Sequence, residues 1–142
     1  MKKGFGFIPA FRKFNMILAI DYGRVHMGLA ISQSGIPSPL RVISTRSDQR
    51  KLEDIKQILT EYNIEGIVIG KGSGELGNHI RGFIQKIKKF TSIPITSIDE
   101  TLTSNHALDY MIKNNVPVKK RKSLEHTYAA CILLEEYYEQ QN

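Results

Sequence analysis

The sequence predicts an α/β domain on a five-stranded mixed sheet, in strand order 3-2-1-4-5 with strand 2 antiparallel, flanked by helices. Three observations lead there. The apolar runs Met16–Asp21, Met27–Ser32 and Leu40–Thr45 are separated by turn-forming segments and read as an antiparallel meander. Beyond Thr45 the apolar period switches between helix and strand, so helices alternate with the runs Gly66–Gly70 and Ile95–Ile98. Right-handed crossovers then set strand 4 beside strand 1, and strand 5 beside strand 4.

Each element has its own signal. Tyr22-Gly23-Arg24 turns the chain between strands 1 and 2, and a loop with Pro37 and Pro39 precedes strand 3. Leu52, Ile55, Ile58, Leu59 and Tyr62 recur at helical spacing, which predicts an amphipathic helix over 49–62. A glycine-rich loop follows strand 4, and Ile80, Phe83, Ile84 and Ile87 mark the second helix. Thr103 or Ser104 caps a third helix running to about Lys113. Pro117 and the run Lys119-Lys120-Arg121-Lys122 read as a loop, and the last helix spans Leu124 to about Tyr138. From Tyr128 to Leu134 that helix is apolar on every side, so it is expected to be buried against the sheet.

Composition narrows the functional classes. A chain of 142 residues builds one core, which excludes two-lobed enzymes. No apolar run reaches the roughly 18–20 residues that span a bilayer, so no membrane partner is expected. The single cysteine, Cys131, excludes a disulfide framework and a cysteine-based zinc site, and fits a reducing, cytoplasmic compartment. Residues 1–15 carry Lys2, Lys3, Arg12 and Lys13 without an acid, which is most of the net charge of +6. Pro9, Arg12 and Lys13 interrupt the apolar stretch a signal peptide needs, so this segment reads as a flexible basic extension ahead of a domain at 16–142. The basic surplus hints at a polyanion, with Lys119, Lys120, Arg121 and Lys122 as its concentrated part.

Two acids close apolar strands. Asp21 ends strand 1 and Glu100 follows strand 5, with Asp99 competing for the same role. The carboxyl ends of parallel strands share one rim, where open α/β sheets bind ligands, so acids 79 positions apart are expected to meet there. Standing alone, Asp21 would read as a turn aspartate. His126, beside Glu125 at the start of the last helix, gains meaning only if it lies near them. Asp21, Glu100 and His126 together would suit one or two Mg²⁺ or Mn²⁺ ions, which activate water and steady a phosphoryl oxyanion. Gly72, Gly74 and Gly77 formally match G-x-G-x-x-G with Asp99 downstream, but on the fourth strand. A loop contacting nucleic-acid phosphate through Lys71 and backbone N–H groups fits better than dinucleotide binding.

Three motifs in order carry a family resemblance over about residues 16–138. Ile20-Asp21-Tyr22-Gly23 through Gly28-Leu29-Ala30 resembles the opening D-x-G-x-x-x-x-G-x-A of the YqgF (RuvX) family. Ile98-Asp99-Glu100-Thr101-Leu102-Thr103-Ser104 resembles its D-E-R-L-T-T segment, and the Lys-rich run with Leu124 to Glu135 resembles its basic loop and final helix. The resemblance implies a ribonuclease H-like fold. It also implies a metal-dependent nuclease of the kind that processes the 5′ end of pre-16S ribosomal RNA in ribosome biogenesis. Asp21 and Glu100 match the first two catalytic acids, while the third, an Asp in the family, falls on His126. Val25, His26, Thr101 and Gly70-Lys71-Gly72 also depart from the pattern. Structured RNA is the expected partner ahead of branched DNA, and monomer and homodimer both stay open. The alternatives are a Holliday junction resolvase-like DNA endonuclease and a non-catalytic RNA-binding module. The same opening motif occurs in two-lobed actin-like ATPases, which the length excludes.

Overall fold

A computed structural model describes residues 16–99 and 103–141, with backbone alone for 103–106. In chain order the elements are β1 (Met16–Asp21), β2 (His26–Gln33), β3 (Ile36–Ser44), α1 (Asp48–Glu61), β4 (Gly66–Gly70), α2 (Gly74–Lys88), β5 (Ile95–Ile98), α3 (Thr103–Lys113) and α4 (Val118–Gln141). The five strands form one sheet in the order β3-β2-β1-β4-β5. β1 pairs antiparallel with β2 and parallel with β4, β2 pairs antiparallel with β3, and β4 parallel with β5. This is the topology expected from the alternation of periods.

The helix after β4 begins at Gly74, inside the glycine-rich stretch read as a loop, and two further boundaries differ from the sequence reading. β3 begins at Ile36 rather than Leu40 and so contains both prolines. An edge strand tolerates this, because one side of it needs no donors. Pro37 and Pro39 stand two residues apart, opposite Ser32 and Ala30, so both missing N–H groups belong to the same side of the strand, the open edge. The hairpin closes through Ser34 (φ 59°) and Gly35 (φ 84°), the doubly left-handed turn that suits the strand twist. The second difference is at α4, which begins at Val118, so the basic run is helical and not a loop. Lys and Arg are good helix formers, and Pro117 just ahead of the first turn accepts from the Lys120 N–H at 2.9 Å.

The sheet is covered on both faces, and strict alternation along β1 assigns its side chains. Leu18, Ile20 and Tyr22 join Ile55, Ile58, Phe83 and Ile87 in the core beneath α1 and α2. Ile17 and Ala19 face the other way, with Ala30, Val68 and Ile98, against Ala130, Cys131, Leu133 and Leu134 of α4. The opposite side of α4 packs Ala129 and Ile132 on Ala107 of α3. Between Tyr128 and Leu134, helix α4 is thus apolar all round because it lies there between the sheet and another helix.

Small residues let α4 come close. Ala19, Ala30 and Ala130 are fully buried at the contact, and Gly28 of β2 has the α4 backbone directly over it. A Cβ at Gly28 would stand 2.6 Å from the His126 Cβ and inside the van der Waals shell of the His126 carbonyl. Because the obstacle is backbone, Gly28→Ala must lift the helix. Thermal unfolding of this variant should show a loss of about 1–3 kcal/mol, the usual range for overpacking. An unchanged midpoint would mean the helix does not lie this close.

Candidate active site

Asp21 is the last residue of β1, and alternation turns it toward α4 with Ile17 and Ala19. Its partner in register across the hairpin is Gly28. The helix that rests on Gly28 delivers His126 to the carboxylate, with Nδ1 at 2.8 Å from Asp21 Oδ2. The packing that seats α4 therefore builds the pair. Its two side chains are 15% (Asp21) and 32% (His126) exposed, which leaves the pair open to solvent on one side.

The hydrogen bond to Asp21 raises the His126 pKa above the ordinary 6.5. Partial burial opposes the rise, and the Asp21 and Glu125 charges add to it. With Nδ1–H donating to the carboxylate, Nε2 is the nitrogen left to carry chemistry. His26 stands at the mouth of the same turn, its ring centroid 6.0 Å from that of His126 and its Nδ1 2.9 Å from Ser44 Oγ.

Basic side chains surround the rim. Lys71 follows β4 immediately, is exposed, and donates its backbone N–H to the Ile98 carbonyl at 2.8 Å. Lys119, Lys120 and Lys122 are exposed on the first two turns of α4. At about 1.5 Å per residue they begin roughly 6–10 Å along the axis from His126. Arg121 is partly committed to the fold, since its Nε donates to the Val116 carbonyl at 3.1 Å. Of the expected site residues, Asp21 and His126 meet, and Lys71 and the basic run share their end of the molecule. Glu100 and Thr101 lie outside the described residues. Asp99 is exposed beyond the end of β5. Among the described residues no group of three or more His, Cys, Asp or Glu side chains is placed to hold a metal ion. The Asp21 carboxylate and the His126 imidazole are nonetheless donors of the right kind for such an ion.

A polar cluster behind the turn escaped the sequence reading. Tyr22 points away from α4 and donates its hydroxyl to Asp48 Oδ1 at 2.8 Å. Lys51, fully buried, reaches Asp48 Oδ1 at 3.2 Å and the Arg24 carbonyl at 2.8 Å. The signal was available: Lys51 stands four residues before Ile55, on the apolar stripe of α1 and not on its wet face.

With the geometry in hand, comparison with known proteins is decisive. The sequence profile of RuvX, described as Holliday junction resolvase, matches residues 15–140. The chain belongs to this family. RuvX relatives include a protein of Thermoanaerobacter pseudethanolicus that is 34% identical over 134 residues, covering 88% of this chain and 96% of the relative. Another, from Dictyoglomus turgidum, is 31% identical, covering 85% and 92%. Both bear the name "Putative pre-16S rRNA nuclease". Among solved structures, the Fowlpox virus resolvase in complex with Holliday junction DNA superposes with a TM-score of 0.64 at 16% identity, covering 89% of this chain and 98% of the other. The RuvC protein of T. thermophilus with a Holliday junction substrate gives 0.61 at 14%, covering 89% and 96%. At such identities these structures establish the fold, the ribonuclease H-like one that the RuvX motifs imply.

The raised His126 pKa fixes a pH dependence. The stabilisation by protonated His126 beside Asp21 is complete below the unfolded value near 6.5 and is lost as pH rises through the folded value. NMR titration should place the His126 midpoint above 6.5, and Asp21→Asn should bring it down. A wild-type midpoint at or below 6.5 would show that the pair is not formed.

Proposed function

We propose that this RuvX protein is a metal-dependent nuclease that hydrolyses a phosphodiester bond in structured RNA, with Asp21, Glu100 and His126 as its site residues. One observation carries the reading: an acid–imidazole pair stands at the carboxyl edge of the parallel strands beside the exposed basic start of α4. The names of the relatives support pre-16S ribosomal RNA as the substrate, and the 5′ end is the region that the motif resemblance implies.

Charge placement on α4 supports a polyanionic partner independently. Lys119, Lys120, Arg121 and Lys122 sit at the positive end of the helix dipole, while Glu135, Glu136 and Glu139 sit toward the negative end. Lys119, Lys120 and Arg121 in the first turn and Glu139 in the last run against the dipole, at about 0.3–1 kcal/mol per charge. Local helix stability does not account for such a pattern, whereas a phosphate backbone at the helix start does. Lys71 extends the basic rim to the end of β4.

Mg²⁺ or Mn²⁺ would be held by Asp21 with Glu100 and His126. When bound, the ion supplies Lewis-acid polarisation of the phosphate and an activated water. Glu100 is chosen over Asp99 because its position matches the second catalytic acid of the family motif. Asp21 orients the imidazole through Nδ1, so Nε2 is directed to ligate or to exchange a proton. The lysines bind and align the backbone. We place this machinery in one domain at 16–142, with residues 1–15 as a basic extension. No helix among the described residues is long and apolar enough to cross a membrane.

One observation favours a second reading, an RNA-binding module without turnover: His126 already occupies an Asp21 oxygen and contributes no negative charge for a hard cation. Cleavage assays decide between them. Wild type should cut a labelled pre-16S 5′-leader RNA with Mn²⁺ in preference to a four-way DNA junction, and Asp21→Asn should abolish cutting while RNA binding persists. Preferred junction cutting would move the assignment to DNA, and salt-dependent binding without cleavage would establish the module. Replacing Lys119, Lys120 and Lys122 by Ala should flatten the salt dependence by about 0.7–0.9 in log–log slope per lost phosphate contact.

A further inference from the structure

We infer that Lys51 is a positioning residue that holds the site-bearing β1–β2 turn from the back of the sheet, an assignment that rests on the site proposed above. Asp21, the last residue of β1, and Tyr22 directly after it face opposite sides of the sheet. Asp21 looks to α4 and His126, and Tyr22 looks to α1. Lys51 grips the second face. Its side chain is fully buried, its Nζ reaches the Arg24 carbonyl at 2.8 Å and Asp48 Oδ1 at 3.2 Å, and it stands 4.6 Å from the centroid of the Tyr22 ring. Asp48 in turn accepts the Tyr22 hydroxyl at 2.8 Å, and burial together with this bond pushes the Tyr22 pKa up to about 12.

The cluster binds the turn at both halves. Tyr22 is the residue after Asp21, and the Arg24 carbonyl lies beyond the bend at Gly23. A side chain at Gly23 would collide with the carbonyl of His26, so the bend is closed to its limit. The Thr45 N–H donates to the Val25 carbonyl at 2.8 Å and fixes the far side. Seen from α1, every residue from Tyr22 to Val25 is either bonded or sterically confined, and the returning strand brings Gly28 level with Asp21. Movement of the turn therefore changes the angle at which the Asp21 carboxylate meets His126.

Core packing alone does not call for an ammonium here. A buried charge is expensive to desolvate, and an apolar side chain of the same length often serves stability as well or better. Lys51 adds what Met or Leu lacks, a directed donor that pins a carbonyl in the site turn while Asp48 balances its charge.

The test compares full-length wild type, Lys51→Met and Ile58→Ala at a temperature where all are folded. Ile58 lies on the same helix in the same core, about two turns beyond Lys51, and its apolar side chain takes part in none of the hydrogen bonds that hold the turn, so it reports a loss of packing. Two readouts are taken: the NMR signals of the 23–28 amides and the His126 ring without substrate, and kcat and KM on the leader RNA. Lys51→Met should shift the turn and His126 signals and lower kcat about ten- to hundredfold, as expected for a small misplacement of a reacting group. KM should stay within about twofold, the pattern of an interaction used in the transition state. Ile58→Ala should leave the His126 signals and kcat unchanged. Wild-type signals and kcat in Lys51→Met, or equal shifts in Ile58→Ala, would overturn the assignment. If Lys51→Met does not fold, Tyr22→Phe strands no charge and should move the same signals by less; no movement there overturns the idea equally. Absence of cleavage by wild type would refute the proposed reaction, and the NMR comparison would still decide the role of Lys51.

Discussion

The close seating of α4 on the sheet is the constraint from which the rest of this structure follows. The helix can reach the site only because β2 offers Gly28, and the neighbouring contact surface is made of Ala19, Ala30 and Ala130. Larger residues at these positions would hold the helix off the sheet. His126 would then be too far from Asp21 for a 2.8 Å bond, and the basic first turns would leave the rim. A packing requirement and a chemical one are thus met by the same few small side chains.

The end of β1 shows how a two-sided sheet divides labour. Period-2 alternation sends Asp21 to one layer and Tyr22 to the other, so the acid can be open to solvent while its neighbour is locked in a core. A carboxylate at the end of an otherwise apolar strand needs such a brace, because among the described residues His126 is its one hydrogen-bond partner in its own layer. The brace comes from α1, which follows β3 in the chain and so ties the antiparallel half of the sheet to the end of β1.

The fold was legible because each element carried its own period. β4 and β5 were short apolar runs between helical stripes, and crossover handedness then left one strand order. The boundaries that moved are those where a local breaker is overruled by position. Pro37 and Pro39 break a central strand but not an open edge, and the charge of Lys119–Lys122 does not oppose helix formation. In the site, the meeting of Asp21 with His126 depends on one glycine beneath one helix turn, a three-dimensional fact with only a motif to suggest it. Asp99 and Glu100 could not be separated by sequence, because Ile95-Thr96-Ser97-Ile98 has apolar residues on both faces. Lys51 was hidden by the habit of reading a lysine as solvated, although its spacing from Ile55 placed it on the buried stripe.

The imidazole at position 126 changes the electrostatic problem of the site. Three acids gathered at one rim repel one another, and each resists ionising until a cation arrives. With His126 in one of the three places, Asp21 already has a partner that donates to it and, when protonated, cancels its charge. The Asp21–His126 pair is therefore held by its own hydrogen bond. In the proposed site the same substitution removes a negative charge from the donor set, so a hard divalent ion would be held less strongly than by a full set of carboxylates. In the proposed site, pre-organisation of the pair and cation affinity pull in opposite directions at this residue.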